Sequence, residues 1–170
     1  MILATHAIAG AALGRLVPRY PWLAFLLGFA SHFLLDAIPH WQYKVRSKLY
    51  AKNPVDEFIT PGKKLAFDVA VVTLDFLVGV FLAFRFLGHG FSLTGPNQLS
   101  LLLGAVGGAF PDGLQFLYFV FRNKPLLLFE KFHARWHASR NFDPASIPGI
   151  LLQAALVAAI ILAARAAIFI

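Results

Sequence analysis

The sequence contains no cysteine and few charged residues. The absence of cysteine excludes disulfide bonds and thiolate metal ligands, and it leaves the redox compartment open. Charged residues make up only 14% of the 170 residues, whereas ordinary soluble domains carry about a quarter. Hydrophobic residues make up 59% instead. This composition favours a membrane protein, and the length fits a single membrane domain over residues 1–170.

Acidic residues are scarce as well. Eight Asp and Glu stand against fifteen Lys and Arg, which gives a net charge of +7. The basic residues are scattered through the loops between apolar segments, which argues against nucleic acid as a partner and favours anchoring at an anionic membrane surface. We therefore expect membrane lipids as partners, and the sequence leaves the oligomeric state open.

Apolar segments predict an all-α integral membrane bundle of about five transmembrane helices. About 20 helical residues span the hydrocarbon core of a bilayer, and proline or glycine separates the segments. The first segment is short for a full span, so we expect it to be tilted or partly interfacial. It has no basic residues at its start, which favours a retained helix over a cleaved signal peptide. Residues 126–139 mix apolar and charged side chains at helical spacing, which predicts an amphipathic surface helix. The five segments are residues 2–17, 22–38, 65–87, 98–121 and 146–170.

The distribution of Lys and Arg predicts a multi-pass protein of the cell (inner) membrane with a cytoplasmic N-terminus. Eleven basic residues follow the second and fourth segments, against three on the opposite side, and cytoplasmic loops carry the excess of positive charge. His89 falls on the far side, where we expect a loop residue. The topology gathers most candidate metal-binding side chains at the cytoplasmic end: His6, Asp36, His40, Asp68, Asp112, His133 and His137.

Residues 31–41 read SHFLLDAIPHW and place His32, Asp36 and His40 four residues apart in an apolar run. Side chains at this spacing lie along one stripe of a helix. A carboxylate in hydrocarbon is costly and is kept there when it is paired or bound to a metal, and zinc binds imidazole and carboxylate. Pro39 should end or kink the helix. His40 therefore either lies at the end of the helix or, if the helix only kinks, continues the stripe. Alternatively, Asp36 pairs with Lys or Arg and the histidines are interfacial residues.

Two further stretches carry candidate ligands. His133 and His137 are four residues apart on the predicted surface helix, which gives two ligands on one face; contact with lipid headgroups is the alternative. The GGAFPDG stretch around Asp112 should break the fourth helix, and broken membrane helices usually line a cavity or site. Alternatively, its glycines pack a helix crossing and Asp112 caps the second half.

Three more ionisable residues lie within or at the start of apolar segments. Asp75 is deep in the third segment and is protonated, paired across helices, or a ligand. Asp68, near the interface, belongs to the site or is only a charge at the helix start. His6 is either a ligand or part of a polar start to the first helix.

The stretch His32-Phe33-Leu34-Leu35-Asp36, followed by Pro39 and His40, resembles a hallmark of the zinc-dependent phospholipase C and P1 nuclease group, in which a helix carries H-F-x-x-D. This local resemblance implies that His32 and Asp36 share metal ions, with Asp36 bridging two of them and His40 as the next ligand. The whole chain is similar to small bacterial inner-membrane proteins described as membrane-bound metal-dependent hydrolases. Their early helix histidine corresponds to His6.

These features predict a membrane metal-dependent hydrolase that acts on a phosphoester or phosphodiester, such as a phospholipid, at the cytoplasmic face. A divalent metal, with Zn²⁺ as the first candidate, would activate water. Asp75 or Asp112 could accept the proton, and Arg135, with Lys131 or Arg140, could neutralise the substrate phosphate. The predicted metal ligands are His6, His32, Asp36, His40, Asp112, His133 and His137.

Two other functions fit the sequence. Aspartates on three helices could form a polar path for a divalent cation or protons, as in a transporter. A non-catalytic membrane scaffold would use the same polar residues only to tie helices together.

Overall fold

The computed structural model describes residues 1–88, 96–138 and 142–167. Within these ranges the regular secondary structure is helical apart from one small antiparallel sheet, so the predicted all-α class is confirmed. Strands β1 (Lys48–Leu49) and β2 (Phe58–Ile59) form the sheet, and a 3₁₀ turn (Pro54–Asp56) lies between them. The helices are α1 (Leu3–Leu16), α2 (Pro21–Asp36), α3 (Lys63–Leu87), α4 (Pro96–Phe121), α5 (Lys124–Trp136) and α6 (Ile147–Ala166).

Helix α1 lies at the centre of the bundle, where it packs against α2, α3, α4 and α6. It is rich in alanine and glycine, and every residue from Ala4 to Ala12 is buried. At 1.5 Å per residue, its 14 residues extend about 21 Å, less than the ~30 Å hydrocarbon core of a bilayer. The first apolar segment is therefore a short central packing helix and not the interfacial helix that its length also allowed.

Glycines bring the backbones of α1 and α4 into direct contact. A Cβ atom added at Gly10 would lie 2.0 Å from the carbonyl oxygen of Gly104. One added at Gly108 would lie 2.2 Å from the carbonyl oxygen of His6. No larger residue fits at such distances, and small residues at helix crossings are common in membrane bundles. The crossing fixes His6 beside the middle of α4.

Helix α4 is continuous through the GGAFPDG stretch, so the predicted break is wrong. Pro111 cannot donate a backbone hydrogen bond to the Gly107 carbonyl. However, a Cβ at Gly107 or Gly108 would collide with the backbone of α2 or α1, so both neighbours hold this part of α4 in line. The glycine-packed crossing is what the structure has, and Asp112 lies inside the helix rather than at a cap.

Two helices in the described part of the chain, α3 and α6, are long and apolar enough to cross a membrane. Only 11% of the apolar 18-residue stretch of α3 and 17% of that of α6 is buried. The core helices of soluble proteins are mostly buried. Large side chains such as Leu74, Phe81 and Leu162 are exposed. Helix α2 is apolar but has only 16 residues. The structure thus gives two candidate spans where the sequence predicted about five.

One end of the bundle is closed by segments that follow α2 and α5. The backbone N–H of Ala138 donates to the Asp36 carbonyl at 2.7 Å, and the N–H of Phe142 donates to the His40 carbonyl at 3.1 Å. The indole of Trp41 also donates to the carbonyl of Pro144 at 2.8 Å. These bonds hold the chain after α5 against the chain after α2.

Candidate metal centre

The carboxylate of Asp36, the last residue of α2, is the centre of a buried histidine cluster. Its side chain is 1% exposed. Oδ1 lies 3.1 Å from His6 Nε2 and 3.8 Å from His40 Nε2. Around Oδ2 are three more Nε2 atoms, at 3.2 Å, 3.4 Å and 3.8 Å, which belong to His32, His133 and His137 respectively.

Backbone carbonyls fix the rings of two histidines. Nδ1 of His32 lies 2.9 Å from the carbonyl oxygen of Gly108, and Nδ1 of His40 lies 2.8 Å from that of Ile38. A carbonyl oxygen only accepts hydrogen bonds, so each Nδ1 carries the hydrogen and, in the neutral ring, Nε2 keeps its lone pair. The lone pair of His32 then faces Asp36, and that of His40 accepts a hydrogen bond from the Met1 amino group at 2.7 Å. Histidines that bind metals are usually held in this way.

A buried carboxylate that the sequence analysis missed lies behind His133. Glu130 Oε2 is 3.9 Å from His133 Nδ1, and within the described residues neither atom has a hydrogen-bond partner. The other oxygen of Glu130 accepts a hydrogen bond from the side-chain amide of Gln115 at 3.1 Å. The signal available in the sequence was the spacing of three residues between Glu130 and His133, which places both on one face of α5.

The cluster brings together electron-rich atoms that need a proton or a metal ion between them, and the Met1 amino group pairs with Asp36 Oδ1 at 2.8 Å beside them. Nε2 of His32 and Nε2 of His133 are 3.0 Å apart, beside Oδ2 of Asp36. With the hydrogen of His32 on Nδ1, a proton or a metal ion must separate these atoms. His6 is fully buried, and neither of its ring nitrogens has a hydrogen-bond partner among the described residues. These nitrogen and oxygen donors fit a divalent metal of the Zn²⁺ type.

Two groups of potential ligands share Asp36. In the first, one ligand atom each from His32, Asp36, Asp112 and His133 lies within 4.8 Å of the others. The second group consists of Asp36, His40 and His137. The potential to hold a metal, expected from the sequence, is therefore present. A carboxylate that belongs to both groups could contact two ions, as in dinuclear sites.

Three histidines outside the apolar spans differ in their electrostatics. Burial, assisted by the Met1 amino group 2.7 Å from Nε2, lowers the pKa of His40 to about 4. Burial also lowers the pKa of His137. Burial acts in the same direction on His133, but the carboxylates of Asp36 and Glu130 outweigh it and raise its pKa to about 9. His40 and His137 are therefore mainly neutral at pH 7, the form in which an imidazole can bind a metal, whereas His133 would have to lose its proton first.

Asp112 faces both the cluster and a cavity. Its Oδ1 lies 3.7 Å from His32 Nε2, and its side chain is 25% exposed. The cavity has a volume of about 380 Å³ and lies between α3, α4 and the chain that leads into and through the small sheet. Asp112 is thus the acidic side chain that connects the candidate metal site to a space large enough for a ligand.

The other predicted catalytic aspartate, Asp75, has different neighbours. The backbone N–H groups of Leu3 and Ala4, in the first turn of α1, donate to its carboxylate. The hydroxyl of Tyr43 donates to it at 3.3 Å. Asp75 belongs to neither group of potential ligands, and its position suits the anchoring of α1, which carries His6.

Predicted basic residues lie on the outer side of the site. Arg135 and Lys131 are exposed on α5, and neither lines the cavity. Asp68 lines the cavity and accepts a hydrogen bond from the backbone of Ser47 at 2.6 Å. His89 and Arg140 lie outside the described residues.

Comparisons with protein-family models, with curated proteins and with solved structures give no significant match. The similarity to membrane-bound metal-dependent hydrolases therefore stays a prediction. A functional proposal must rest on the chemistry of the cluster and of the cavity beside it.

Proposed function

We propose that this protein is an integral membrane metal-dependent hydrolase that cleaves a phosphoester or phosphodiester bond at the cytoplasmic face of the membrane. The observation that carries the proposal is the convergence of five histidine Nε2 atoms on the buried carboxylate of Asp36. The cavity beside Asp112 supports it, because a reacting bond there would lie next to the cluster.

The residues of the cluster have separable roles in this proposal. A bound Zn²⁺-like ion would lower the pKa of water and polarise a phosphoryl oxygen. His32, His133 and Asp36 would hold that ion, and Glu130 would orient His133 from behind. Asp112 has an oxygen at the edge of the cluster and is open to the cavity, so it is suited to accept the proton of the attacking water.

The membrane setting belongs to the same proposal. Helices α3 and α6 would span the bilayer, with α2 and α4 beside them, α1 enclosed among them and α5 on the surface. Arg122, after α4, donates to the carbonyl of Val55 at 2.8 Å, in the loop between α2 and α3. The basic segments that follow α2 and α4 thus meet at one end of the bundle, which would be the cytoplasmic end.

Metal analysis and hydrolysis assays on the purified full chain test the proposal. We expect stoichiometric metal and metal-dependent cleavage of bis(p-nitrophenyl) phosphate in the wild type. Asp36→Asn should lose both, since the neutral amide cannot balance a cation. Ser31→Ala is the matched control, because among the described residues the Ser31 hydroxyl donates to the Gly28 carbonyl, within α2, at 2.7 Å. Absence of both metal and cleavage would refute the proposal, and metal-dependent flux in proteoliposomes would support a transporter instead.

A further inference from the structure

The cavity beside Asp112 is polar at one end and apolar along most of its wall. Asp112 and Gln115 of α4 mark the end nearest the cluster: Asp112 approaches His32, and Gln115 bonds to Glu130. Polar side chains, among them Asp68 and Thr73, also line the cavity, but apolar side chains of α3 and α4 form much of the remaining wall: Leu65, Val69, Val72, Phe116 and Phe119. A molecule that fills this space must combine a polar reacting group with a hydrocarbon portion.

The apolar part of the cavity reaches the outer surface of α3. Val69 lines the cavity and is 44% exposed, and the neighbouring lining residue Thr73 is also exposed. Helix α3 is one of the two helices apolar enough to cross a membrane. In the proposed membrane setting, hydrocarbon chains therefore have direct lateral access to the cavity, whereas its Asp112 end lies at the metal cluster.

A basic side chain also lines the cavity. Lys48 Nζ pairs with Glu57 Oε2 at 2.5 Å and lies 4.6 Å from the ring centre of Phe119. Lys48 belongs to β1, in the loop that covers this part of the bundle. It is the one cationic side chain among the described residues that line the cavity, where it is paired with Glu57 and is accompanied by the carboxylates of Asp68 and Asp112. The volume of about 380 Å³ falls within the range of roughly 300–1,000 Å³ typical of small-molecule sites.

We propose that this cavity binds the hydrocarbon chain of a membrane lipid phosphoester, with the phosphate directed towards Asp112. The inference rests on the proposed hydrolase function and names its substrate class, a long-chain lipid rather than a water-soluble ester. Apolar contacts along α3 and α4 would hold the chain, and Lys48 would offset part of the phosphate charge. The lipid would then reach the cluster without leaving the bilayer.

Gly113 offers a way to fill the cavity without disturbing the cluster. It lines the cavity, and a Cβ atom added there would meet no atom within 4 Å. Gly113→Leu should therefore occupy cavity space while the helix is preserved, since leucine favours helix more than glycine does. Gly113→Ala is the matched control: it makes the same change to the backbone but adds only one methyl group.

The experiment compares these two variants with the wild type, each as the full chain in detergent micelles. One measurement is photo-crosslinking to a phosphatidylglycerol whose acyl chain carries a diazirine. The other is the kcat/KM for long-chain phosphatidylglycerol, for its short-chain analogue and for bis(p-nitrophenyl) phosphate. We expect Gly113→Leu to lose crosslinks to peptides of α3 and α4 and to lower kcat/KM for the long-chain lipid at least about tenfold. Its metal content should match that of Gly113→Ala, and its kcat/KM should fall more for the long-chain lipid than for the soluble ester.

The outcomes separate this inference from the function on which it rests. Equal rates on long-chain, short-chain and soluble esters, together with no crosslinks to α3 or α4, would overturn the lipid site and leave the hydrolase intact. Loss of activity on every substrate in Gly113→Leu would also overturn it, because the change would then act on the chemistry. Crosslinks that disappear only in Gly113→Leu, in a protein that cleaves nothing, would uphold the lipid site and refute the hydrolase.

Discussion

His32 Nε2 and His133 Nε2 lie 3.0 Å apart, although 101 positions separate the two residues in the chain. The first residue belongs to α2 and the second to α5. Their approach joins an apolar helix of the bundle to an amphipathic helix at its end. A cation shared by the two imidazoles would therefore fasten α5 to the bundle.

This pairing predicts the behaviour of histidine variants. His32→Ala and His133→Ala should each reduce the metal content of the purified protein, because each removes one nitrogen from the same group of ligands. The double variant should lose little more than the more severe single variant, since neighbouring ligands act as a unit. Metal analysis after dialysis measures the content, with Ser31→Ala as the control. Independent, additive losses would show that the two rings bind separate ions.

Metal removal should lower the stability of the protein. Binding to the folded state alone adds about 2.7 kcal/mol when free metal is about 100-fold above its dissociation constant. A chelator should therefore reduce the Tm of the wild type and have little effect on Asp36→Asn, whose site lacks the shared carboxylate. Thermal unfolding with and without a chelator, followed by intrinsic fluorescence, tests this. Equal sensitivity of the two proteins to the chelator would contradict the central role of Asp36.

Glu130 should tune metal affinity without binding the metal itself. It is fully buried and lies behind His133, where its charge makes the imidazole a better ligand. Glu130→Gln keeps the size of the side chain and should weaken metal binding by about 10- to 100-fold. Competition with a chromophoric chelator measures the affinity. Lys131→Gln, on the exposed side of α5, is the control, and an effect of equal size there would argue against orientation through His133.

Two glycines of α4 should respond to the same substitution in opposite ways. Gly104→Ala places a methyl group 2.2 Å from the Gly10 carbonyl oxygen, so α1 and α4 must separate. Overpacking of this kind typically costs about 1–3 kcal/mol. Gly113→Ala meets open space and should raise stability by up to about 1 kcal/mol through its helix propensity. The free energy of unfolding in mixed micelles distinguishes them, and similar values would disprove the close crossing.

Substitution of Asp75 should affect folding more than chemistry. Its carboxylate accepts hydrogen bonds from the first turn of α1 and from Tyr43. Asp75→Ala leaves those donors unpaired and should cost about 1–3 kcal/mol of stability for each buried group left unsatisfied. Metal content should stay at the wild-type level at temperatures where the variant is folded. A large fall in kcat with unchanged stability would instead identify Asp75 as a catalytic base.

Local spacing and charge bias were enough to predict the histidine and aspartate side chains that meet in the cluster, but not Glu130 or the Met1 amino group. The separation of four residues between His32 and Asp36 gave the core of the site, and the distribution of Lys and Arg indicated which helix ends would meet. His40 follows Pro39 beyond the end of α2, as the proline required, yet the loop turns it back towards Asp36. These features depend on short-range geometry, which a sequence pattern reflects directly.

Features that depend on packing between helices were not predictable in this way. The continuity of α4 through Pro111 is decided by α1 and α2, which hold Gly107 and Gly108 from outside. The anchoring contacts of Asp75 come from the start of α1 and from a loop residue, and neither is close to it in sequence. In the sequence, Glu130 is indistinguishable from the exposed charged residues of an amphipathic helix, and only the structure shows that it is buried. Tertiary context decided all three cases.

The enclosed position of α1 has a consequence for the order of biogenesis. During synthesis α1 leaves the ribosome before α4, although Gly10 packs directly against the backbone of Gly104. In the proposed membrane setting, a helix too short to span a bilayer would therefore lack its packing partner until α4 has been made. His133 follows later still, so the first group of potential ligands is incomplete until α5 has been synthesised. If the protein binds a metal in a membrane as proposed, uptake would be confined to chains in which α5 has already joined the bundle, and an occupied site would mark a completed assembly.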